Sequence, residues 1–268
     1  MERKFSNTNP SLSRREFLKI GSLATAGLII NQKEGSPFWP YEVVSKIETD
    51  KPEFALTIDD GWIPESLVTM LDILKEKRIK ADFFLVGVAA IACERKYPGI
   101  IGRLADEGHR IAYHTFEHKM EEVKNASSSW FSRDYDAWIY LFRRLLGSEK
   151  FAKSFFYGAR APGGYFTNSF IDFCRNKHLI PYGWSITSKD LDRGTLITKG
   201  DILLLHVVNT DEEFLYKLTE FTDRQLTPTT ISCLISSNSC TQVEEEEEED
   251  GKDNLPNHQP RYCKSDII

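Results

Sequence analysis

Hydrophobic positions alternate between short apolar runs and helical spacing from Glu53 onward. The run from Phe54 to Ile58 stops at Asp59-Asp60-Gly61 and predicts a buried strand. Leu67, Met70, Leu71 and Leu74 recur at helical spacing, which predicts a helix over residues 65–77. The same criteria predict strands at 81–86, 110–113, 155–157, 180–185, 201–206 and 229–232, and helices at 100–107, 129–146, 170–174 and 212–222. The alternation predicts an α/β fold with mostly parallel strands, arranged as an irregular seven-stranded barrel with covering helices.

The amino-terminal pattern differs from that of the barrel. Arg14-Arg15 precede a short apolar stretch from Ile20 to Ile30, which predicts a twin-arginine export signal over residues 1–30. An amphipathic surface helix is the alternative. Ala24-Thr25-Ala26 fits a cleavage site but lies inside the apolar stretch, so cleavage stays open and an uncleaved signal would tether the protein to the membrane. The expected location is periplasmic or at the cell surface.

Polarity sets the remaining boundaries. Residues 31–50 are polar and contain proline, and we interpret them as a linker to a catalytic domain over 51–235. Residues 236–268 have no apolar periodicity and carry an acidic run from Glu244 to Asp250, so we expect a disordered tail. The net charge is -6, and the seven acidic residues of that run leave the body at +1 (-6 + 7). A nearly neutral body argues against nucleic acid as a partner.

Chemically versatile side chains follow the predicted strands. Asp59 and Asp60 end the first strand, His114 ends the third, and His206 ends the sixth. Arg160 follows the fourth strand. The carboxyl ends of parallel strands meet at one edge of a sheet, where functional groups gather.

His114 and His118 are four residues apart, and both would face one side if the segment turns helically. Asp60 is well placed to add a third ligand, and two histidines with one carboxylate leave positions open for water and substrate, as in catalytic zinc sites. Ordinary surface or core histidines and an Asp-Gly turn are the plainer alternatives. Adjacent buried carboxylates repel each other unless a cation compensates, and Arg160 could hold Asp59 in its ionised form.

These residues and their order resemble the polysaccharide deacetylase family, also called the chitooligosaccharide deacetylase homology domain. Leu56 to Gly61 is similar to the family's first motif, and His114-Thr115-x-x-His118 matches the second. Three later segments resemble the third, fourth and fifth motifs: Phe156 to Gly164, Trp184 to Asp190, and Gly200 to His206. Pro228 to Ser232 resembles the final strand. The resemblance spans about residues 51 to 235.

The resemblance implies a role for each matching residue. Asp60, His114 and His118 would bind zinc, or cobalt or nickel, and Asp59 would be the base that takes a proton from water. His206 would be the acid that protonates the leaving amine. Arg160 would orient Asp59, and Asp190 would orient His206.

The substrate-binding positions depart from the family pattern. We assign Gly163, Tyr165, Trp184 and Leu191 to substrate binding. Gly163 stands where the third motif has an aromatic residue, and Tyr165 could partly replace it. Thr187 replaces an aspartate, and Leu191 replaces a tryptophan. These departures affect the walls of the substrate groove more than the metal.

The sequence therefore predicts an exported, metal-dependent polysaccharide deacetylase, a hydrolase of carbon–nitrogen bonds other than peptide bonds. It would remove N-acetyl or O-acetyl groups from peptidoglycan or a chitin-like oligomer. The alternative is a catalytically impaired carbohydrate-binding homologue, since Gly163, Thr187 and Leu191 depart from the family pattern. A structural metalloprotein would need a fourth ligand, for which only His109 and Glu117 are nearby in sequence.

Overall fold

The computed structural model describes residues 42–218 and 226–236. The predicted export signal, residues 31–41 of the predicted linker and the tail after Ser236 lie outside these ranges, and their assignments stay predictions. Among the described helices, none combines the length and apolarity needed to span a bilayer.

A parallel sheet forms the centre of the fold, with the strand order β5-β4-β3-β2-β1-β7-β6. Its strands are β1 (Glu53–Asp60), β2 (Asp82–Leu85), β3 (Arg110–Tyr113), β4 (Phe155–Ala159), β5 (Ile180–Pro181), β6 (Ile186–Thr187), β7 (Ile202–His206) and β8 (Thr227–Thr229). Strand β8 pairs with the amino-terminal end of β1 and lies off this path. The predicted irregular seven-stranded barrel is thus confirmed, with one further short strand.

Helices pack around the sheet, most of them on its outer face. They are α1 (Pro64–Glu76), α2 (Gly87–Lys96), α3 (Ile100–Asp106), α4 (Met120–Asn125), α5 (Ser128–Ser154), α6 (Asn168–Lys177), α7 (Ser188–Asp192), α8 (Asn209–Tyr216) and α9 (Ile231–Ile235). Local sequence explains several of their limits. Pro64 occupies the first turn of α1, where its missing N–H costs nothing, and the Ser127 side chain caps α5 by accepting from the Trp130 N–H.

Alternation along the strands separates two cores. Phe54, Leu56 and Ile58 of β1 point outward into the larger core beneath the helices. Ala55 belongs to a smaller core inside the curled sheet, together with Phe84, Tyr182 and Ile231. Asp59 follows Ala55 at the strand period of two, so the side chain of Asp59 lies on the inner face at the carboxyl end. Sheet alternation thus directs that carboxylate into the barrel rather than toward the helices.

Two predicted strands differ from the structure, which also contains a helix that was not predicted. The strand predicted over residues 180–185 is only Ile180–Pro181, because Pro181 lacks the N–H that continues a ladder. The strand predicted over 229–232 ends at Thr229, and Thr230 caps α9 instead by accepting from the Cys233 N–H. Helix α2 was not predicted, because its Ala-rich sequence has little amphipathic contrast.

The last residues of the predicted linker belong to the folded domain. Ile47 is 2% exposed, and its N–H donates to the Gly200 carbonyl oxygen. Val44 bridges to Tyr182, and Lys46 pairs with Asp201 at 2.8 Å. The folded domain thus begins before residue 51, and residues 44–47 connect the chain near β5 to the turn that precedes β7.

Candidate metal centre and catalytic residues

The carboxyl ends of the central strands bring six predicted residues into one area. Asp59 and Asp60 end β1, His114 directly follows β3, and His206 ends β7. Asp59 and His206 are register partners on neighbouring strands. Arg160 and His118 reach the same area from loops, so the predicted meeting of strand ends is confirmed for these side chains.

Asp60, His114 and His118 converge on one point. Asp60 Oδ1 lies 3.3 Å from Nε2 of His114 and 3.3 Å from Nε2 of His118. One ligand atom from each of the three residues lies within 4.8 Å of the others. This arrangement of two imidazole nitrogens and one carboxylate oxygen matches the donors of a catalytic divalent-metal site.

The chemistry of these atoms fits a cation. His114 Nδ1 lies 2.8 Å from the Arg160 carbonyl oxygen, which can only accept, so Nδ1 carries a proton and the neutral ring has its lone pair on Nε2. That lone pair faces Asp60 Oδ1, which is buried without a hydrogen-bond partner. Two electron-rich atoms in this arrangement repel each other unless a positive charge lies between them. A cation held between the two atoms would therefore satisfy the buried, unpartnered oxygen.

Mutual electrostatics perturb these groups. Burial opposes a charge on His114, but the nearby Asp59 and Asp60 carboxylates outweigh burial and raise the pKa of its imidazole. Burial and the neighbouring His114 charge lower the pKa of His118. For Asp60, burial acts to raise the pKa, and the contacts with the histidines overcome it, so the net shift is downward. The carboxylates and imidazoles thus form one strongly interacting group.

The histidine loop, residues 114–118, is not helical, so the condition under which a helical turn would align His114 with His118 is not met. Thr115 and His118 have positive φ values of 65° and 55°, which turn the chain sharply between them. The two rings nevertheless lie with their centroids 5.0 Å apart. The loop therefore reaches the predicted juxtaposition through two left-handed residues, which are costly for side chains other than glycine.

Arg160 holds Asp59 as predicted. Its guanidinium is 0% exposed, and Nη1 donates to Asp59 Oδ1 at 2.6 Å and to Thr57 Oγ1 at 2.9 Å. The Tyr182 and Gly183 carbonyl oxygens accept from Nε and Nη2. The Phe84 ring lies 4.1 Å beneath the guanidinium carbon. The second Asp59 oxygen, Oδ2, points towards His114 Nε2 at 3.6 Å.

Asp190 does not orient His206, which corrects the sequence assignment. Asp190 Oδ2 accepts from the N–H and hydroxyl of Thr187 and so caps its own helix, α7. The carboxylate beside His206 belongs to Asp211, whose Oδ2 lies 3.6 Å from His206 Nδ1 and accepts from the His206 N–H at 2.7 Å. The Asp211 contact raises the pKa of His206 against the opposing effect of burial. An aspartate in the first turn of the helix after β7 was the available signal.

The predicted substrate positions divide into two groups. Gly163 and Trp184 line a hollow of about 250 Å³, together with Ser45, Gly164, Phe166 and Gly183. Leu191 is 2% exposed in the core beneath the helices, so its assignment to substrate binding is contradicted. It follows the capping residue Asp190 in a short helix that directs its side chain inward.

Gly163 and Tyr165 adjoin one another at the third motif. Gly163 has φ +61°, and a Cβ there would lie 2.3 Å from Met120 Cε and 3.0 Å from Tyr165 Cε2. Met120 and Tyr165 thus occupy the space beside this glycine. Trp62 was missed by the sequence analysis; it is 43% exposed, and its ring meets His118 edge-on with the centroids 6.2 Å apart. Its position directly after Asp59-Asp60-Gly61 was the signal.

Comparison with known proteins agrees with this geometry. A peptidoglycan-N-acetylglucosamine deacetylase of Bacillus cereus is 46% identical over 69 residues, which are 26% of this chain and 24% of that protein. A chitooligosaccharide deacetylase of Sinorhizobium fredii is 28% identical over 188 residues, 64% of this chain and 82% of that protein.

Solved structures share the fold. A CE4 family pseudoenzyme from Bacillus anthracis has a TM-score of 0.62 and 18% identity, over 75% of this chain and 71% of that one. The sequence model described as polysaccharide deacetylase matches residues 46–176, which contain Asp59, Asp60, both loop histidines and Arg160. Over this central region the chain is similar to the polysaccharide deacetylase family.

Proposed function

We propose that the protein is a metal-dependent hydrolase that removes acetyl groups from an extracellular or cell-wall polysaccharide. One observation carries the proposal: the Asp60, His114 and His118 donors converge beside an arginine-held aspartate, Asp59, and a histidine, His206, on the neighbouring strand. A metal site, a base and an acid are the groups that amide hydrolysis needs.

Zinc is the proposed ion, with cobalt and nickel as alternatives. Two imidazole nitrogens and one carboxylate oxygen suit zinc and leave coordination positions free. When bound there, the ion supplies Lewis-acid chemistry by lowering the pKa of water and polarising the acetyl carbonyl.

Asp59 is the proposed base. Arg160 occupies its Oδ1, so Oδ2 is the oxygen that faces the metal ligands and takes the proton from the attacking water. The Arg160 guanidinium stabilises the carboxylate form of Asp59 and fixes its direction. Because Arg160 is itself held by two backbone carbonyl oxygens, the pair is oriented before substrate arrives.

His206 is the proposed acid that protonates the leaving amine. Its raised pKa favours the imidazolium form, which has a proton to give. Asp211 stabilises that form through Nδ1, which leaves Nε2 for the substrate. The side chain is 41% exposed, so a polymer can approach this side of the site.

The proposed substrate is an N-acetylglucosamine polymer, either peptidoglycan or a chitin-like oligomer, with O-acetyl groups as the alternative target. The two relatives described above are named for these polymers. Trp62, Tyr165 and Trp184 support a carbohydrate because aromatic rings offer apolar faces with polar edges near the site.

Acetate release tests the proposal. Purified protein is incubated with peptidoglycan and with N-acetylglucosamine oligomers, as prepared, after chelation and after readdition of zinc, cobalt or nickel. We expect release that chelation abolishes and metal restores, and a loss of about 10²- to 10⁴-fold in Asp59→Asn with metal binding retained.

Controls separate the alternatives. Asp192→Asn, at an exposed position of α7, should keep full activity. Robust acetate release from metal-free protein would refute the mechanism. Glycan binding without release under any of the metals would favour the catalytically impaired homologue.

We also propose export by the twin-arginine route to the periplasm or cell surface, where an uncleaved signal would tether the protein to the membrane. The support is sequence alone: Arg14-Arg15 followed by the apolar stretch Ile20 to Ile30. Fractionation of cells expressing the parent and Arg14→Lys/Arg15→Lys should show the variant retained in the cytoplasm. Equal distribution of both would refute this route.

A further inference from the structure

The histidine loop, residues 114–118, is held from outside the metal site by an aspartate on a covering helix. Asp134 lies on α5, and its Oδ1 accepts from the Phe116 N–H at 2.9 Å. The same oxygen accepts from the Tyr113 hydroxyl at 2.5 Å. Tyr113 directly precedes His114, and Phe116 lies midway between the two histidines. A single carboxylate oxygen therefore connects to α5 both the residue before the loop and the middle of the loop.

The part of helix α5 that carries Asp134, before the break at Gly147, is held by core contacts. Tyr135 and Trp138 on the same helix meet the buried Tyr113 ring edge-on, with centroids 5.1 and 5.8 Å away. Trp138 Nε1 also donates to the Leu85 carbonyl oxygen of β2 at 2.7 Å. These contacts fix the helix against the strands, and Asp134 reaches the loop from this helix. The position of Asp134 thus follows from core packing on either side of it.

The loop needs such support because its backbone is strained. Thr115 and His118 both adopt left-handed conformations, which cost of the order of 1 kcal/mol or more each without a restraint. Helix α2 provides restraint on one side, since the Gly87 and Val88 N–H groups donate to the Thr115 and Phe116 carbonyl oxygens. Asp134 restrains the Phe116 N–H on the other side. The peptide group of Phe116 is thereby held at both its acceptor and its donor.

We infer that Asp134 is a positioning residue that sets the geometry of His114 and His118 for the metal, through the Tyr113 hydroxyl and the Phe116 N–H. The inference rests on the metal site of the proposed function. Asp134 touches neither imidazole, so its effect reaches the metal only through the loop. Outer-shell groups that orient metal ligands typically change metal affinity by about 10- to 100-fold when they are removed.

Metal affinity measures this role directly. Dissociation constants for zinc are determined by competition with a chromophoric chelator, on protein whose fold is checked by circular dichroism. We expect Asp134→Ala to weaken zinc binding by about 10- to 100-fold. Asp134→Asn keeps an oxygen that can accept both hydrogen bonds, so it should restore most of the affinity. The cobalt-loaded protein should show an altered visible absorption spectrum in Asp134→Ala and a parent-like one in Asp134→Asn.

Asp136→Ala is the matched control, because Asp136 lies on the same helix and pairs with Lys177 at the surface. An unchanged zinc affinity in Asp134→Ala, an equal loss in Asp136→Ala, or an Asp134→Asn as weak as Asp134→Ala would overturn the inference. If Asp134→Ala does not fold, Tyr113→Phe removes one of the two donors and should weaken zinc binding by a smaller factor, and no loss there would overturn it. A parent that binds no divalent metal would refute the proposed function instead.

Discussion

The interior of the barrel holds a buried aspartate at each end, and the two carboxyl groups have different partners. At the carboxyl end, Asp59 is 2% exposed and receives the Arg160 guanidinium at 2.6 Å. At the amino end, Asp82 is 0% exposed; its Oδ2 accepts from the Ile231 N–H, and its Oδ1 has no partner. Burial raises the pKa of Asp82 to about 7, against the smaller opposing effect of the Ile231 N–H.

This contrast separates a charge kept for chemistry from a polar group kept for structure. A guanidinium beside Asp59 stabilises its carboxylate despite burial, and one oxygen remains directed at the metal ligands. Within the described residues no cation forms an ion pair with Asp82, and the charges of Arg110 and Arg160 only partly offset its burial. Its carboxyl group fastens α9 to the amino end of the barrel. Asp59 and Asp82 therefore serve different purposes, and the difference is the Arg160 guanidinium that contacts Asp59.

Removal of the arginine should break the contrast and give the largest effect. Arg160→Met leaves Asp59 buried and unpaired, so we expect the free energy of unfolding measured in urea to fall by about 3–5 kcal/mol. Acetate release should be lost as well. Arg144→Met is the matched control, because Arg144 is exposed and donates to the Tyr140 hydroxyl at the surface. Equal stability of the two variants would show that Arg160 does not compensate the Asp59 charge.

A neutral residue at the opposite end should stabilise the protein at high pH. Because the folded-state pKa of Asp82 is raised from 3.8 to about 7, its neutral form is favoured on folding, and stability falls as pH rises through that window. Asp82→Asn removes this loss and keeps an oxygen for the Ile231 N–H. We expect its unfolding free energy to exceed that of the parent by about 1–3 kcal/mol at pH 8 and by little at pH 4. Parallel stability curves between pH 4 and 8 would contradict this.

The acid should respond to loss of its carboxylate partner. Asp211 raises the pKa of His206, so the descending limb of the pH–rate profile should move to lower pH in Asp211→Asn. The rate at neutral pH should fall by about tenfold. Glu213→Gln, on the same helix but paired with Lys217 at the surface, should leave the profile unchanged. A descending limb that does not move in Asp211→Asn would show that Asp211 does not raise the pKa of His206.

Trp62 should give the smallest effect, and on binding alone. Stacking of a sugar on its exposed ring is worth about 0.5–1.5 kcal/mol, so Trp62→Ala should raise KM for an oligosaccharide by about 2- to 12-fold. Its kcat and its activity on a small acetyl ester should stay close to those of the parent. Trp62→Phe should recover most of the loss. A change in kcat with an unaltered KM would exclude this role.

The sequence predicted the strands and their terminal residues better than the connections between them. The apolar run before Asp59 and the segment Arg110 to Tyr113 have a local signal, and both are strands in the structure. Asp59, Asp60 and His114 came together because parallel strands end at one edge, a rule that needs no tertiary detail. Pro181 shortened β5 through a local effect that the sequence reading did not apply.

Other features depend on contacts that spacing cannot reveal. The histidine loop turns through left-handed residues because Asp134 and α2 restrain it, whereas spacing alone suggested a helix. Asp190 precedes His206 in the sequence and Asp211 follows it. Only the direction of α8 brings the Asp211 carboxylate to His206. The inward direction of Leu191 also depends on tertiary packing, since its five-residue helix presents one face to the core.

The pairing of β1 with both neighbouring and distant strands has a consequence for the order of folding. Strand β1 is the first of the described strands to be synthesised, yet it pairs with β7 and β8, and Asp82 of β2 bonds Ile231 of α9. These contacts join residues separated by most of the domain, so a ribosome-bound chain that ends before residue 227 lacks β8, and one that ends before residue 231 lacks the closure at the amino end. We expect a nascent chain to resist protease only after α9 has emerged from the ribosome.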